Sequence, residues 1–512
     1  MEAQGGQDEK ADISSLLEVN RLDYRLPPSL SIATSRSMKV YKSMESSYIA
    51  GSAQMQFTLS SGATYVDFLN SFLRFKVKMP NNTVGNPKMP AHCGWAQLIR
   101  QIRIVHSSGV EIDRTKDSVG EWIQIQNYYD RSEACRRTQG SLYSLNDTAR
   151  ASSLTMSGNT ITRAKEGLNV SDAESKTNTT PLGDYLPSDA NEAFYIDGDV
   201  SNREFDVCIP LAHLAGFFNV DLLALSFLAA GLQVHIDFYK PDHFFVTSTG
   251  NNGIPITPTM LNPAIPWQGD LKIISPEMHL ETFTLTDSIL RKLSQISSSS
   301  GLEWYFDAVH QMNHTVGESD LSMQITRALS RANNVIVKSR NAKYLGNSLV
   351  DSYASQSWVL PTEEGGIQED VKQDGTLVEF QVQLGAQYIP SRSLQTKKEV
   401  LHSSLKTFSQ FRRSDEVGGV DDSQFSGIRT NLATETEGVY LSGLAVAAVP
   451  LESSSTLQQS GAAISAQRTA VVNMKWKGEA AQVSDYGLRR VDAFVVYSKL
   501  CTLFLDSVVV RS

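Results

Sequence analysis

A two-residue alternation of apolar and polar side chains, in short runs that recur in both halves, most constrains what this chain can fold into. In Gln54–Leu59, Met55, Phe57 and Leu59 alternate with polar residues. A run from Tyr65 to Met79 ends as Phe75-Lys-Val-Lys78, and Ile102 and Ile104 flank Arg103 within Leu98–Val105. A period of two places all the apolar side chains of a run on one face of a strand, so these segments predict sheets with one buried side. Ser107-Ser-Gly109 reads as a turn into a short return strand, Val110–Asp113. Further strands are expected at Phe205–Ile209, Leu232–Tyr239 and Leu271–Leu285.

Helix signals interrupt this pattern at matching places. Ser118 followed by Glu121 is a capping-box spacing, and Trp122, Ile125 and Tyr129 then recur on one helical face. In the second half Glu379-Phe-Gln-Val-Gln-Leu384 alternates. It leads to a second capping box, Thr396 with Glu399, and a helix carrying Val400, Leu401, Leu405 and Phe408. Between the halves, Thr286 caps a short helix with the stripe Ile289, Leu290, Leu293 and Ile296, and Ser297–Gly301 ends it. Strands restart at Leu302–Phe306 and Val335–Val337, and return at Val439–Val449, Ala470–Trp476 and Val491–Val510. Each half therefore reads as strands, one capped helix, a polar loop and strands. The expectation is a mainly β chain with a sandwich or jelly roll in each half. The expected division is an N-terminal arm at 1–45, a first β domain at 46–285, a linker helix at 286–301 and a second β domain at 302–512. The polar stretches 140–200 and 414–436 read as large excursions from the scaffold.

Charge and motifs narrow the function. The 512 residues carry a net charge of −9, a poor fit to a dedicated nucleic-acid binder. The arm holds six Lys and Arg against seven Asp and Glu, which is no polybasic tail. Cys93, Cys135, Cys208 and Cys501 include no CxxC pair, so they suggest neither a disulfide framework nor a zinc site. The polar, acidic start MEAQGGQDEKADISS is not a signal peptide, and the apolar stretch Val207–Val234 is too interrupted to span a bilayer. No Walker A, GxGxxG, HExxH or GxSxG pattern occurs. His310 and His314 share a strand face, as metal ligands or as ordinary polar residues. The acid pairs Glu363-Glu364, Glu369-Asp370 and Asp421-Asp422 read as calcium ligands or as solvated loop charge. Arg136-Arg137, Arg412-Arg413 and Arg489-Arg490 read as phosphate contacts or as salt-bridge and helix-end charges. No catalytic, cofactor-binding or metal residue is assigned.

Four passages carry a family resemblance. They are Gln56-Phe-Thr-Leu-Ser-Ser with Thr64–Val77; Leu98–Gly109; Phe205-Asp-Val-Cys-Ile-Pro-Leu-Ala-His-Leu-Ala-Gly-Phe-Phe218; and Phe380-Gln-Val-Gln-Leu-Gly-Ala-Gln-Tyr-Ile-Pro390. In order and spacing they resemble the double jelly-roll major capsid proteins of the tectivirus–adenovirus lineage, nearest to those of polinton-like viruses and virophages. The resemblance implies two eight-stranded jelly rolls in tandem. It implies a structural protein, not an enzyme, whose homotrimers form pseudo-hexameric capsomers of an icosahedral virion. Its expected partners are other copies of itself and penton and minor or cement proteins, with a possible internal membrane facing the shell and no direct genome contact. The arm and Val491–Ser512 would clamp neighbours, and residues 140–200 and 414–436 would project as towers. The chief alternative is a β-sandwich receptor- or carbohydrate-binding surface protein. A glycan-acting enzyme with two carboxylates on a sandwich face, and a single jelly-roll capsid protein of the RNA-virus type, also stay open.

Overall fold

The computed structural model describes residues 33–60, 65–80, 87–88, 93–145, 153–157, 160–164, 204–219, 231–247, 269–341, 345, 353, 377–408, 420, 425, 428–430, 439–441, 444–451, 461–476, 489–504 and 508–511. In the first half the strands are β1 (Ala33–Lys42), β2 (Ser47–Ile49), β3 (Gln54–Leu59), β4 (Tyr65–Lys78), β5 (Ile99–His106), β6 (Glu111–Thr115), β7 (Glu204–Pro210), β8 (Leu232–Phe238) and β9 (Lys272–Leu285). They form two antiparallel sheets, β1-β9-β4-β7 with β2 also on β9, and β3-β8-β5-β6.

The second half contains β10 (Leu302–Val316), β11 (Asp320–Ile325), β12 (Leu329–Asn341), β13 (Leu377–Leu384), β14 (Gln387–Leu394), β15 (Ala447–Pro450), β16 (Ala470–Trp476) and β17 (Arg489–Leu503). Its sheets run β10-β17-β12-β15 and β11-β16-β13-β14. With β1 and β2 counted as one interrupted strand, each half has the order 1-8-3-6 in one sheet and 2-7-4-5 in the other. That is a jelly roll, so the chain is a double jelly roll. Ala462–Ile464 and Val508–Arg511 add short strands to β12 and β17.

Alternation explains the layers. In β8, Leu232, Val234, Ile236 and Phe238 are buried and the residues between them are not. The same holds for Ala470, Val472, Met474 and Trp476 of β16. Gly109 closes the β5–β6 turn at φ +88°, a conformation that favours glycine. Residues Ala33–Lys42, inside the span read as an arm, pair along β9 from Leu285 to Glu277. Their strand signal is muted because Ser, Thr, Arg and Lys fill most positions.

A helix follows the fifth strand of each roll: α1 (Val119–Ile125) after β6, and α3 (Lys397–Thr407) after β14. Between the halves lies α2 (Asp287–Ser299). The sequence predicts a one-sided apolar stripe for α1, yet all seven of its residues are buried. The reason is tertiary. α1 is held between β5 of its own roll and the large sheet of the second. The excursions 140–200 and 414–436 lie mostly outside the described residues, which include hairpin strands at Ser153–Ser157 with Thr160–Ala164 and at Ile428–Thr430 with Val439–Leu441.

Candidate functional site: a buried charged seam

The two rolls meet along a seam whose polar groups are almost wholly withdrawn from water. Glu121 on α1 and Asp492 on β17 are fully buried, and Arg340 at the end of β12 is 1% exposed. Arg340 Nη1 donates to Glu121 Oε1 at 2.5 Å, while Nη2 and Nε donate to Asp492 Oδ2 at 2.5 and 3.0 Å. One guanidinium thus bridges two carboxylates from different elements, a use that suits its planar set of donors. Arg490 Nε reaches the other oxygen of Asp492 at 3.0 Å.

Further polar groups of the seam bond around this bridge, while the buried Gln124 Nε2 has no partner. The Tyr239 hydroxyl donates to Glu121 Oε2 at 2.7 Å, and His243 Nε2 lies 3.3 Å from Oε1 with its ring stacked 3.9 Å from that of Tyr239. Gln311 Nε2 donates to Ser118 Oγ at 3.0 Å. Lys338 Nζ donates to Gln124 Oε1 and, at 2.6 Å, to the Tyr353 carbonyl, and the Tyr353 hydroxyl donates to the Gln97 carbonyl. Apolar contacts flank these groups. Trp122 packs on Phe494 at 5.7 Å, and Phe217 meets Phe306 at 5.6 Å. At Gly216 the rolls touch backbone to backbone, and a Cβ there would lie 1.7 Å from the Asp307 carbonyl oxygen.

Burial is the largest influence on Glu121, Arg340 and His243, and specific partners overturn it at the first two. It would raise the Glu121 carboxyl, but Arg340, His243 and Lys338 hold it well below the usual carboxylate range. It would lower Arg340, but Asp492 and Glu121 hold the guanidinium charged. His243 is lowered, because burial outweighs the attraction of Glu121. At a second crossing, Lys499 Nζ donates to the Ile112 carbonyl at 2.6 Å and stands 4.0 Å from Asp113 Oδ1. There burial raises Asp113 and lowers Lys499, so this looser pair binds its charges less firmly than the Arg340 bridge does.

Sequence reasoning missed the seam. It assigned Glu121 to a capping box with Ser118, but the Ser118 side chain makes no cap, and Glu121 turns to Arg340 instead. The second box forms as read, with Thr396 Oγ1 accepting from the Glu399 amide at 3.2 Å. His310 sits on β10 with its imidazole pushed down to about 4 by burial and Arg327, while His314 is exposed. No group of three or more His, Cys, Asp or Glu able to hold a metal occurs among the described residues. Arg136 is buried and donates to the carbonyls of Asn127 and Arg131, both at 3.0 Å. Arg489 lies 4.9 Å over the Trp476 ring. Arg412, Arg413 and the three acid pairs fall outside the described residues.

No protein-family profile matches the sequence, and no curated protein matches it. Solved structures do. A chain of the Sputnik virophage structure determined by cryo-EM matches with a TM-score of 0.55 at 10% identity, over 96% of this chain and 90% of that one. The mavirus major capsid protein matches at 0.53 and 10% identity, over 96% and 92%. The Faustovirus major capsid protein matches at 0.54 and 8%, over 95% and 94%. At these identities the likeness is one of fold, and it extends over nearly the whole of each chain.

Proposed function

We propose that this chain is a major capsid protein that homotrimerises into pseudo-hexameric capsomers tiling an icosahedral shell. The observation that carries the reading is the pairing of two jelly rolls of identical strand order, fixed side by side in one chain by a buried seam. The full-length likeness in fold to the mavirus and Faustovirus major capsid proteins and to a chain of the Sputnik virophage supports it. The role is structural and not enzymatic, and its place is the virion, after synthesis in the host cytoplasm. The rolls divide at the linker 286–301, and of the span 1–45 expected as an arm, Ala33–Lys42 belong to the first roll as β1. Partners are other copies of the chain and, at the vertices and beneath the shell, penton and minor or cement proteins. A membrane can face the inner side, and the net charge of −9 argues against direct genome contact.

The test is size and shape. Light scattering of the purified chain should give a species of about 170 kDa, three times the 56.4 kDa chain, and negative-stain images should show hexagonal outlines. A monomer under all concentrations and salts refutes the reading.

A further inference from the structure

The second crossing between the rolls differs in kind from the Arg340 bridge. Asp113 lies on β6 of the first roll and Lys499 on β17 of the second, and their side chains are 4% and 6% exposed. Lys499 Nζ stands 4.0 Å from Asp113 Oδ1. It is held there by its 2.6 Å bond to the carbonyl of Ile112, the residue before Asp113. Aromatic rings shield the place from water. Phe306 lies 5.9 Å from Nζ, Phe217 meets Phe306 at 5.6 Å, and both rings are buried.

An ion pair is poorly provided for in this position. Burying two charges is repaid only when their contact is close and well bonded. At 4.0 Å the pair lacks a direct hydrogen bond, and burial drives both groups toward their neutral forms, a carboxylic acid and an amine. Those are the forms that react with each other. A desolvated lysine amine is an activated nucleophile, and a protonated carboxyl holds a hydroxyl that can leave as water. The carboxyl also meets donors. The Arg114 amide donates to Oδ1 at 2.9 Å, and the Phe217 amide donates to the same group. Two backbone N–H groups on one carboxyl make the kind of cradle that stabilises an oxyanion.

We propose that Asp113 and Lys499 condense into an intramolecular isopeptide bond that staples the two rolls together. The Nζ lone pair adds to Asp113 Cγ, and the π pair of the C=O bond moves onto the oxygen held by the backbone amides. A proton passes from the nitrogen to the carboxyl hydroxyl, the C–O bond breaks, and one water leaves. The C=O bond re-forms, and the nitrogen keeps one hydrogen as a secondary amide. One carboxylic acid and one amine thus give one amide and one water, with no oxidant, reductant or cofactor. The fold supplies the proximity that two free groups lack. The product suits a dry site, because a neutral amide replaces two groups whose charged forms burial penalises. The bond lies within one chain and needs no second copy, so it stands apart from the capsid reading.

Mass spectrometry of the intact chain tests it. Folded, held at pH 7 and then denatured, the chain should be lighter than its sequence mass by one water. A proteolytic digest should contain a branched peptide that joins the Asp113 segment to the Lys499 segment. Lys499→Arg keeps the cation but lacks the amine, and its mass should return to the full sequence value. An unaltered chain at full sequence mass overturns the proposal without recourse to any variant. A loss of water that persists in Lys499→Arg, or a branched peptide joining other residues, overturns it as well.

Discussion

Replacing Arg340 by alanine should be among the most damaging single changes in the seam. The guanidinium closes two ion pairs at 2.5 Å, and it and both carboxylates are at most 1% exposed. Removing one partner of a buried pair costs about 3–5 kcal/mol, because the other charge is left without compensation in a poor solvent. Asp492 keeps Arg490 at 3.0 Å, so the loss falls mainly on Glu121, left with the Tyr239 hydroxyl, the weaker attraction of Lys338 and a His243 whose protonation burial opposes. The measurement is denaturant unfolding followed by Trp fluorescence, with Trp122 reporting at the seam itself. The pH dependence gives a stricter check. In the native protein Glu121 is held below its ordinary value of 4.5, so its contribution is complete above that value and is lost as the pH falls toward the depressed one. Without Arg340, burial raises the Glu121 carboxyl instead. The deficit of the variant is then greatest at neutral pH and shrinks as acid neutralises the stranded group. The double variant Glu121→Gln/Arg340→Met, which removes both charges, should recover most of the loss. A deficit below about 1 kcal/mol at pH 7, or one that grows on acidification, would refute the reasoning.

Two further predictions probe the packing around the seam. Gly216→Ala forces a methyl group into the Asp307 carbonyl and should lower stability by about 1–3 kcal/mol, seen as a lower melting midpoint; no change would mean that the rolls do not meet there. His213 bonds to Gln139 at 2.9 Å and to the Tyr143 hydroxyl at 3.3 Å, and burial followed by Arg131 pushes its imidazole down to about 2. Its neutral form is therefore favoured by folding, its contribution is complete above pH 6.5, and each unit of acidification below that costs about 1.4 kcal/mol until about pH 2. His213→Gln should flatten the pH slope of unfolding between pH 6.5 and 4.5, and an unaltered slope would count against it.

The strands were legible because a half-buried sheet writes its pattern locally. Gln54–Leu59 was read to the residue, and Ala470–Trp476 likewise, since each needs only its own alternation to be seen. The seam left no such trace. Glu121 and Arg340 are 219 residues apart, and Arg340 and Asp492 are 152 apart. From sequence Glu121 obeys a local rule, the capping box, and nothing nearby signals that a distant cation will claim it. Thr396 and Glu399 follow the same rule and keep it, because their helix end is exposed and no buried charge competes. β1 was hidden for the opposite reason. Its outward side chains are polar or left uncovered, so it lacks the apolar stripe that marks an interior strand.

The linker α2 also bears on how a ring of rolls comes together in time. Because it ties β9 to β10, the seam closes within one molecule and not between two. In the proposed trimer, half of the six joints between rolls would thus be complete before any two chains meet. Two encounters would bring three such chains together, where six separate rolls would need five. Dilution would then separate chains and leave every tethered pair of rolls whole.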